Sequence, residues 1–148
     1  FNVEQSKIAI GSGGVLGKGF GNGTQSKLRF LPFHQTDFIF ASYGEMFGFV
    51  GTLTLISIYF ILLWKIFAIS IDFASYRYEG GLIAIIGLKI LIESFINLGT
   101  NLGLTPATGI PLPLMSAGGT ITIVTFISLG LILSVLNRNK DKELFARD

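Results

Sequence analysis

Two long apolar runs without a charged residue constrain this chain more than any other feature. Met46 to Trp64 is a run of 19 residues and Leu114 to Leu136 is a run of 23. A helix rising about 1.5 Å per residue crosses a hydrocarbon core of about 30 Å with that length. Gly80 to Gly99, between them, is mostly apolar, with Lys89, Glu93 and Asn97 as its strongly polar residues, which is typical of a span packed inside a bundle. The sequence therefore predicts an all-α polytopic membrane protein with three transmembrane helices.

The composition excludes several other classes of protein. Only 14% of the 148 residues are charged, whereas soluble domains carry about 25%. The chain has no Cys, and His34 is its single His, so disulfides, thiolate metal sites and sites that need two histidines are excluded. Its net charge of +2 identifies no polyanionic partner, and we predict no binding to nucleic acid.

The basic residues near the span ends predict the orientation. The loop between the first two spans and the C-terminal tail hold most of them, and close to the span ends the other side carries only Lys27 and Arg29. Lys and Arg concentrate on the cytoplasmic side. The predicted order is an extracytoplasmic loop (1–37), a transmembrane helix (38–66), a cytoplasmic loop (67–79), a transmembrane helix (80–100), an extracytoplasmic loop (101–116), a transmembrane helix (117–137) and a cytoplasmic tail (138–148).

Both outward loops have unusual sequences. The run GSGGVLGKGFGNG (11–23) is dense in glycine, which allows close approach of its backbone to a phosphate or, alternatively, a flexible or re-entrant loop. It is not a Walker A loop, because Gly19 follows Lys18 where Ser or Thr is needed. In the second loop, Pro106, Pro111 and Pro113 forbid a regular helix and favour a stiff wall.

The predicted helices contain two further patterns. Lys89, Glu93 and Asn97 recur every four residues and form one stripe. It is either a Lys89–Glu93 ion pair that neutralises itself and fixes helix packing, or the lining of a polar path or substrate groove. Three small residues, at 44, 48 and 51, predict a ridge for close helix packing.

Asp37 lies where the first loop enters the apolar region, in the string FHQTDFIF. A carboxylate at a membrane boundary beside aromatic residues is partly desolvated, which suits a general base. Alternatively, Asp37 is the N-cap of the following helix, a common place for Asp before an apolar run. The spacing leaves both interpretations open.

Three strings, QSKIAIGSGGVLGKGFGNGTQSKLRFLP, TDFIFASYGEMFGFVG and NLGTNLGLTPATGIPLPLMSAGG, occur in this order. They resemble the SEDS family (shape, elongation, division and sporulation), most of all its RodA branch. The resemblance covers about Gln5 to Ser134. It implies the C-terminal third of an approximately ten-helix bundle in the bacterial cytoplasmic membrane, with the C-terminus in the cytoplasm.

The resemblance also implies an activity, the polymerisation of lipid II into glycan strands for cell-wall elongation and cell shape. The catalytic Asp of the family falls on Asp37, as general base. Substrate contacts are implied for Lys18, Gln25, Thr36, Pro111, Ser116, Gly118 and Gly119. No cofactor is assigned, and a divalent cation is left open.

The sequence departs from the family in some motifs. Phe33 replaces a Glu, Ala117 replaces a Tyr, and Thr108 replaces a Lys that is common in division-type members, which favours the elongation type. Alternatives to the polymerase are a lipid II flippase and a non-catalytic scaffold. The concentration of distinctive residues on one side favours the enzyme, because a flippase needs polar groups at every depth.

The expected partners are lipid II, the lipid bilayer and a class B penicillin-binding transpeptidase. For the transpeptidase, the sequence offers an apolar face with Phe60, Leu63 and Phe67.

Overall fold

The structure is a computed structural model that describes residues 2–19, 37–74 and 77–145. Within these ranges it is built from four helices and contains no strand: α1 (Asn2–Ser12), α2 (Ile39–Asp72), α3 (Arg77–Leu102) and α4 (Gly119–Phe145). Stretches of α2, α3 and α4 are long and apolar enough to cross a membrane, and they lie within Ile39–Asp72, Tyr78–Leu102 and Gly119–Arg138. The predicted all-α fold with three long apolar helices is confirmed.

The helices extend beyond the spans expected from hydropathy. α2 continues to Asp72, past the expected end at residue 66, because the segment 67–72 contains neither Pro nor Gly. The connection between α3 and α4 covers residues 103–118, and we call it the α3–α4 loop.

The helix α1 lies in a segment that the sequence assigned to a loop, and that assignment is wrong for residues 2–12. Ala9 is fully buried with Phe38 and Ala41 from the start of α2. The Ser6 hydroxyl donates a hydrogen bond to the Asn101 carbonyl at 2.7 Å. Isolated helices shorter than about 12 residues are marginal in water, so contacts from distant residues stabilise α1, and its own sequence pattern is weak.

The main core lies where α2, α3 and α4 meet, toward the α2–α3 connection. It consists of buried isoleucines, Ile66 from α2, Ile83, Ile86 and Ile90 from α3, and Ile132 from α4. The outward faces carry exposed apolar side chains such as Phe60 and Trp64. Large apolar residues on the outside suit lipid or further helices of a bundle.

Candidate functional site

The helix α2 is broken at Gly48. This residue has φ 66° and ψ −160°, a conformation that is essentially restricted to glycine. A break removes i→i+4 hydrogen bonds, and in an apolar span the freed groups must find partners within the protein. The break requires glycine at position 48, and the backbone of residues 15–17 also packs directly against it, so the predicted close packing is present here but against this segment and not against another helix. Gly44 does pack closely, since a Cβ there would lie 3.3 Å from Ile10 Cγ1 of α1.

Residues 13–19 of the glycine-rich run, which we call the strap, cross α2 at this break. The strap supplies partners to backbone groups on both sides of the break, through four backbone hydrogen bonds of 2.9 to 3.1 Å. The carbonyls of Glu45 and Met46 accept from the N–H groups of Lys18 and Gly19, and the N–H groups of Phe49 and Val50 donate to the carbonyls of Gly14 and Val15.

Lys18 adds an ion pair to this junction. Its Nζ lies 3.1 Å from Oε1 of Glu45 and 2.9 Å from the Ser12 hydroxyl oxygen. The Glu45 side chain is fully buried, whereas 29% of the Lys18 side chain is exposed. A buried carboxylate needs such a partner, so Lys18 has a structural task here. Its implied contact with substrate stays a prediction.

Asp37 lies at the start of α2, and its backbone is held by two asparagines of α3. The Asp37 carbonyl accepts hydrogen bonds from Nδ2 of Asn97 at 2.9 Å and Nδ2 of Asn101 at 3.0 Å. Asn97 Nδ2 also donates to the Ile110 carbonyl at 2.8 Å. One side chain therefore joins Asp37 to the α3–α4 loop, so the start of α2 and this loop form one site.

The Asp37 carboxylate faces this loop. A Cβ added at Gly109 would lie 3.7 Å from Asp37 Oδ2. Gly109 has φ +70°, a backbone conformation that glycine adopts without strain. The N-cap residue of α2 is Phe38, whose own side chain makes no cap hydrogen bond, and the Asp37 carboxylate accepts none from the first turn. The alternative in which the Asp37 side chain is the N-cap is therefore wrong. No hydrogen bond reaches the Asp37 carboxylate within the described residues.

Further hydrogen bonds hold the α3–α4 loop. Tyr59 of α2 donates its hydroxyl to the Pro113 carbonyl. The Ser116 hydroxyl oxygen accepts from the Leu112 backbone N–H at 2.7 Å. Pro111 is buried next to them. These contacts hold the loop in one conformation, and the hydrogen bond to the Leu112 N–H gives Ser116 a structural role in it.

The other predicted site residues are spread out. Gly118 lies near Pro111, since a Cβ there would be 3.8 Å from Pro111 Cγ, and Gly119 has open space around it. Lys89 and Glu93 form an ion pair at 2.9 Å, partly exposed, while Asn97 of the same stripe is buried in the Asp37 site. The predicted contacts at Gln25 and Thr36 lie outside the described residues.

Sequence reasoning missed three residues of this region, Glu45, Tyr59 and Asn101. A signal existed for two of them, because Glu45 is a charge beside an apolar run and Asn101 continues the four-residue spacing of the stripe. Across residues 2–19, 37–74 and 77–145, no group of three or more His, Cys, Asp or Glu side chains could hold a metal ion.

Comparisons with known proteins agree on one family. The FtsW/RodA/SpoVE family, described as cell cycle protein, matches residues 1–141. The peptidoglycan glycosyltransferase MrdB of Escherichia coli is 42% identical over 144 residues, which cover 95% of this chain and 38% of that protein. The "Probable peptidoglycan glycosyltransferase FtsW" of Halothiobacillus neapolitanus is 40% identical over 137 residues, 91% of this chain and 33% of that protein.

A solved structure has the same fold. It is described as "Structural coordination of polymerization and crosslinking by a peptidoglycan synthase complex", and one of its chains matches with TM-score 0.70 and 30% identity over 92% of this chain and 37% of its own length. This chain thus spans 38% or less of each of these proteins. The family match covers nearly all of it, and the chain therefore belongs to the FtsW/RodA/SpoVE family of cell cycle proteins, as the SEDS resemblance implied.

Proposed function

We propose that the protein containing this chain is a peptidoglycan glycosyltransferase that polymerises lipid II into glycan strands. The names of the two relatives support this activity. The observation that carries the proposal is the Asp37 carboxylate, which has no hydrogen bond within the described residues and faces the α3–α4 loop at Gly109. A carboxylate without a structural task beside a stiff, proline-rich wall suits a general base.

In the proposed reaction, Asp37 takes the proton of the acceptor 4-hydroxyl. The acceptor oxygen attacks the anomeric carbon of the donor chain, the bond from that carbon to the lipid pyrophosphate breaks, and the configuration inverts. The leaving group takes the electron pair of the broken bond, and its charge needs nearby cations or N–H donors. Lys18 and the glycine-rich segment are the candidates from this chain, with Gln25 and Thr36 as further substrate contacts.

The apolar core supports polymerisation over transport. A flippase needs polar groups at every depth of the membrane. On α3, the polar side chains of Asn97 and Asn101 lie near its end, whereas Ile83, Ile86 and Ile90 fill the core nearer its start. The charges between them, Lys89 and Glu93, are paired with each other. A polymerase, whose chemistry takes place on one side of the membrane, needs only polar side chains at that end, such as Asn97 and Asn101. Thr108 supports a role in cell-wall elongation and cell shape.

We further propose an orientation and a partner. Asp37, the strap and the α3–α4 loop face the outside of the cytoplasmic membrane, and the tail after α4 lies in the cytoplasm, as the distribution of Lys and Arg favours. The similar solved structure concerns a synthase complex that polymerises and crosslinks, which supports a class B penicillin-binding transpeptidase as partner. The contact surface proposed for this transpeptidase is the apolar face with Phe60, Leu63 and Phe67 of α2, of which Leu63 also packs against the isoleucine core.

The direct test uses purified full-length protein with lipid II in liposomes, alone and with the transpeptidase. We expect a ladder of glycan strands on a gel, and comparison with and without EDTA reports whether a divalent cation takes part. The sidedness of fluorescent lipid II is measured in the same liposomes. Exchange of lipid II between leaflets without any strands would contradict the proposal and favour the flippase.

A further inference from the structure

We infer that Asn101 is a positioning residue that takes over the N-terminal cap of α2 and so releases the Asp37 carboxylate. The release serves catalysis only if the proposed function holds, but the cap itself does not depend on it. The first turn of any helix has N–H groups without helical partners. Asp is among the residues that most often accept a hydrogen bond from them, and Asp37 is adjacent to the N-cap residue Phe38.

The side chain of Asn101 does this work in place of Asp37. Its Oδ1 accepts a hydrogen bond from the Ala41 backbone N–H at 3.2 Å, and its Nδ2 donates to the Asp37 carbonyl at 3.0 Å. In a continuing helix the N–H of residue 41 would bond the carbonyl of residue 37. The Asn101 carboxamide therefore bridges the two groups of one missing helical hydrogen bond.

Asn97 completes a closed network around this cap. Its Oδ1 accepts from Asn101 Nδ2 at 3.2 Å, and its Nδ2 donates to the carbonyls of Asp37 and Ile110. Asn97 and Asn101 have exposed fractions of 1% and 0%. In such a buried network each lost partner leaves a polar group unsatisfied, so the network holds the Asp37 backbone in one position against the α3–α4 loop.

The consequence concerns the Asp37 side chain. Because Asn101 already satisfies the N–H of Ala41, the carboxylate is not drawn back onto the helix end, and it points at Gly109. Without the Asn101 amide, that N–H would lose its acceptor, and the Asp37 carboxylate lies one residue before the N-cap, where Asp commonly accepts from the first turn. Loss of Asn101 should therefore convert a reactive carboxylate into an ordinary helix cap.

Thermal unfolding of four full-length proteins tests this conversion: wild type, Asp37→Ala, Asn101→Leu and the double variant. We expect Asp37→Ala to leave the melting temperature of the wild type nearly unchanged but to lower it clearly in the Asn101→Leu background, where the carboxylate has become the cap. If Asp37→Ala lowers the melting temperature equally in the wild-type and Asn101→Leu backgrounds, Asp37 already caps α2 in the wild type and the inference is wrong.

Hydrogen exchange keeps the inference testable if Asn101→Leu does not fold. With Asn101 as cap, the Ala41 amide should stay equally protected in the wild type and in Asp37→Ala, and faster exchange in Asp37→Ala would overturn the inference. Thermal unfolding and hydrogen exchange do not depend on enzymatic activity. A wild-type protein that makes no glycan would therefore refute the proposed function, and the two measurements would still test whether Asn101 caps α2.

The catalytic consequence has a matched control on the same helix. Ser94 is buried on α3, and its hydroxyl has no hydrogen-bond partner within the described residues. Ser94→Ala should therefore leave the rate of glycan synthesis unchanged, whereas folded Asn101→Leu should lose about 10²-fold, as expected for a misplaced catalytic group. Equal rates for Asn101→Leu and Ser94→Ala would contradict a positioning role.

Discussion

The break in α2 makes Gly48→Ala the sharpest test of the fold. At φ 66° and ψ −160° an alanine is strained by about 1–3 kcal/mol. Its Cβ would also meet the strap, 2.7 Å from the Val15 carbonyl oxygen and 2.8 Å from the Leu16 carbonyl carbon. To avoid this overlap, the strap must move away from α2. That movement breaks four backbone hydrogen bonds, each worth about 0.5–1.5 kcal/mol. We therefore expect a loss of about 2–6 kcal/mol at this junction.

Thermal unfolding and hydrogen exchange of the full-length protein measure this loss. The amides of Lys18 and Gly19, which bond α2 across the break, should exchange much faster in Gly48→Ala. Gly11→Ala is the matched control, because Gly11 lies in α1 with no atom within 4 Å of an added Cβ. It should be neutral or stabilising by up to about 1 kcal/mol. Wild-type protection of both amides in Gly48→Ala would refute the reasoning.

Three further predictions concern the surroundings of the site. Tyr59→Phe leaves a buried carbonyl of the α3–α4 loop without its donor, so we expect a loss of about 1–3 kcal/mol in thermal unfolding; an unchanged melting temperature would contradict it. Lys18→Met should destabilise the protein more than Glu45→Gln in the same assay, because it removes the ammonium that lies 3.1 Å from a fully buried carboxylate and leaves the negative charge in place; the reverse order would count against the pair. A cysteine at Thr108 should react with an impermeant thiol reagent in intact spheroplasts and one at Ala74 should not, and labelling at Ala74 would overturn the orientation.

The parts of the fold that local sequence determines could be predicted. Three long apolar helices follow from hydropathy, which depends only on neighbouring residues. The stiffness of the α3–α4 loop follows from its prolines, and the Lys89–Glu93 ion pair follows from i,i+4 spacing. Asp37 stood out because a carboxylate at the edge of an apolar run is unusual.

The parts that depend on distant contacts could not be predicted. The break at Gly48 is stable only because the strap, about 30 residues earlier in the sequence, supplies its hydrogen bonds. The helix α1 forms against Phe38 and Ala41, which its own sequence does not reveal. That the Asp37 side chain does not cap α2 could not be predicted either, because the Ala41 N–H and the Asp37 carbonyl are bonded by Asn101, which lies 64 residues from Asp37 in the chain.

The most direct measurement is the rate of glycan synthesis by full-length Asp37→Asn, purified with its transpeptidase partner and supplied with lipid II. Asn keeps the size of the side chain and removes its basic oxygen, and no cap hydrogen bond is lost because the carboxylate makes none. We predict an unchanged melting temperature, an intact complex and a rate lower by about 10²- to 10⁴-fold, the usual contribution of positioned proton transfer. A folded Asp37→Asn protein that makes strands at nearly the wild-type rate would contradict the assignment of Asp37 as the general base.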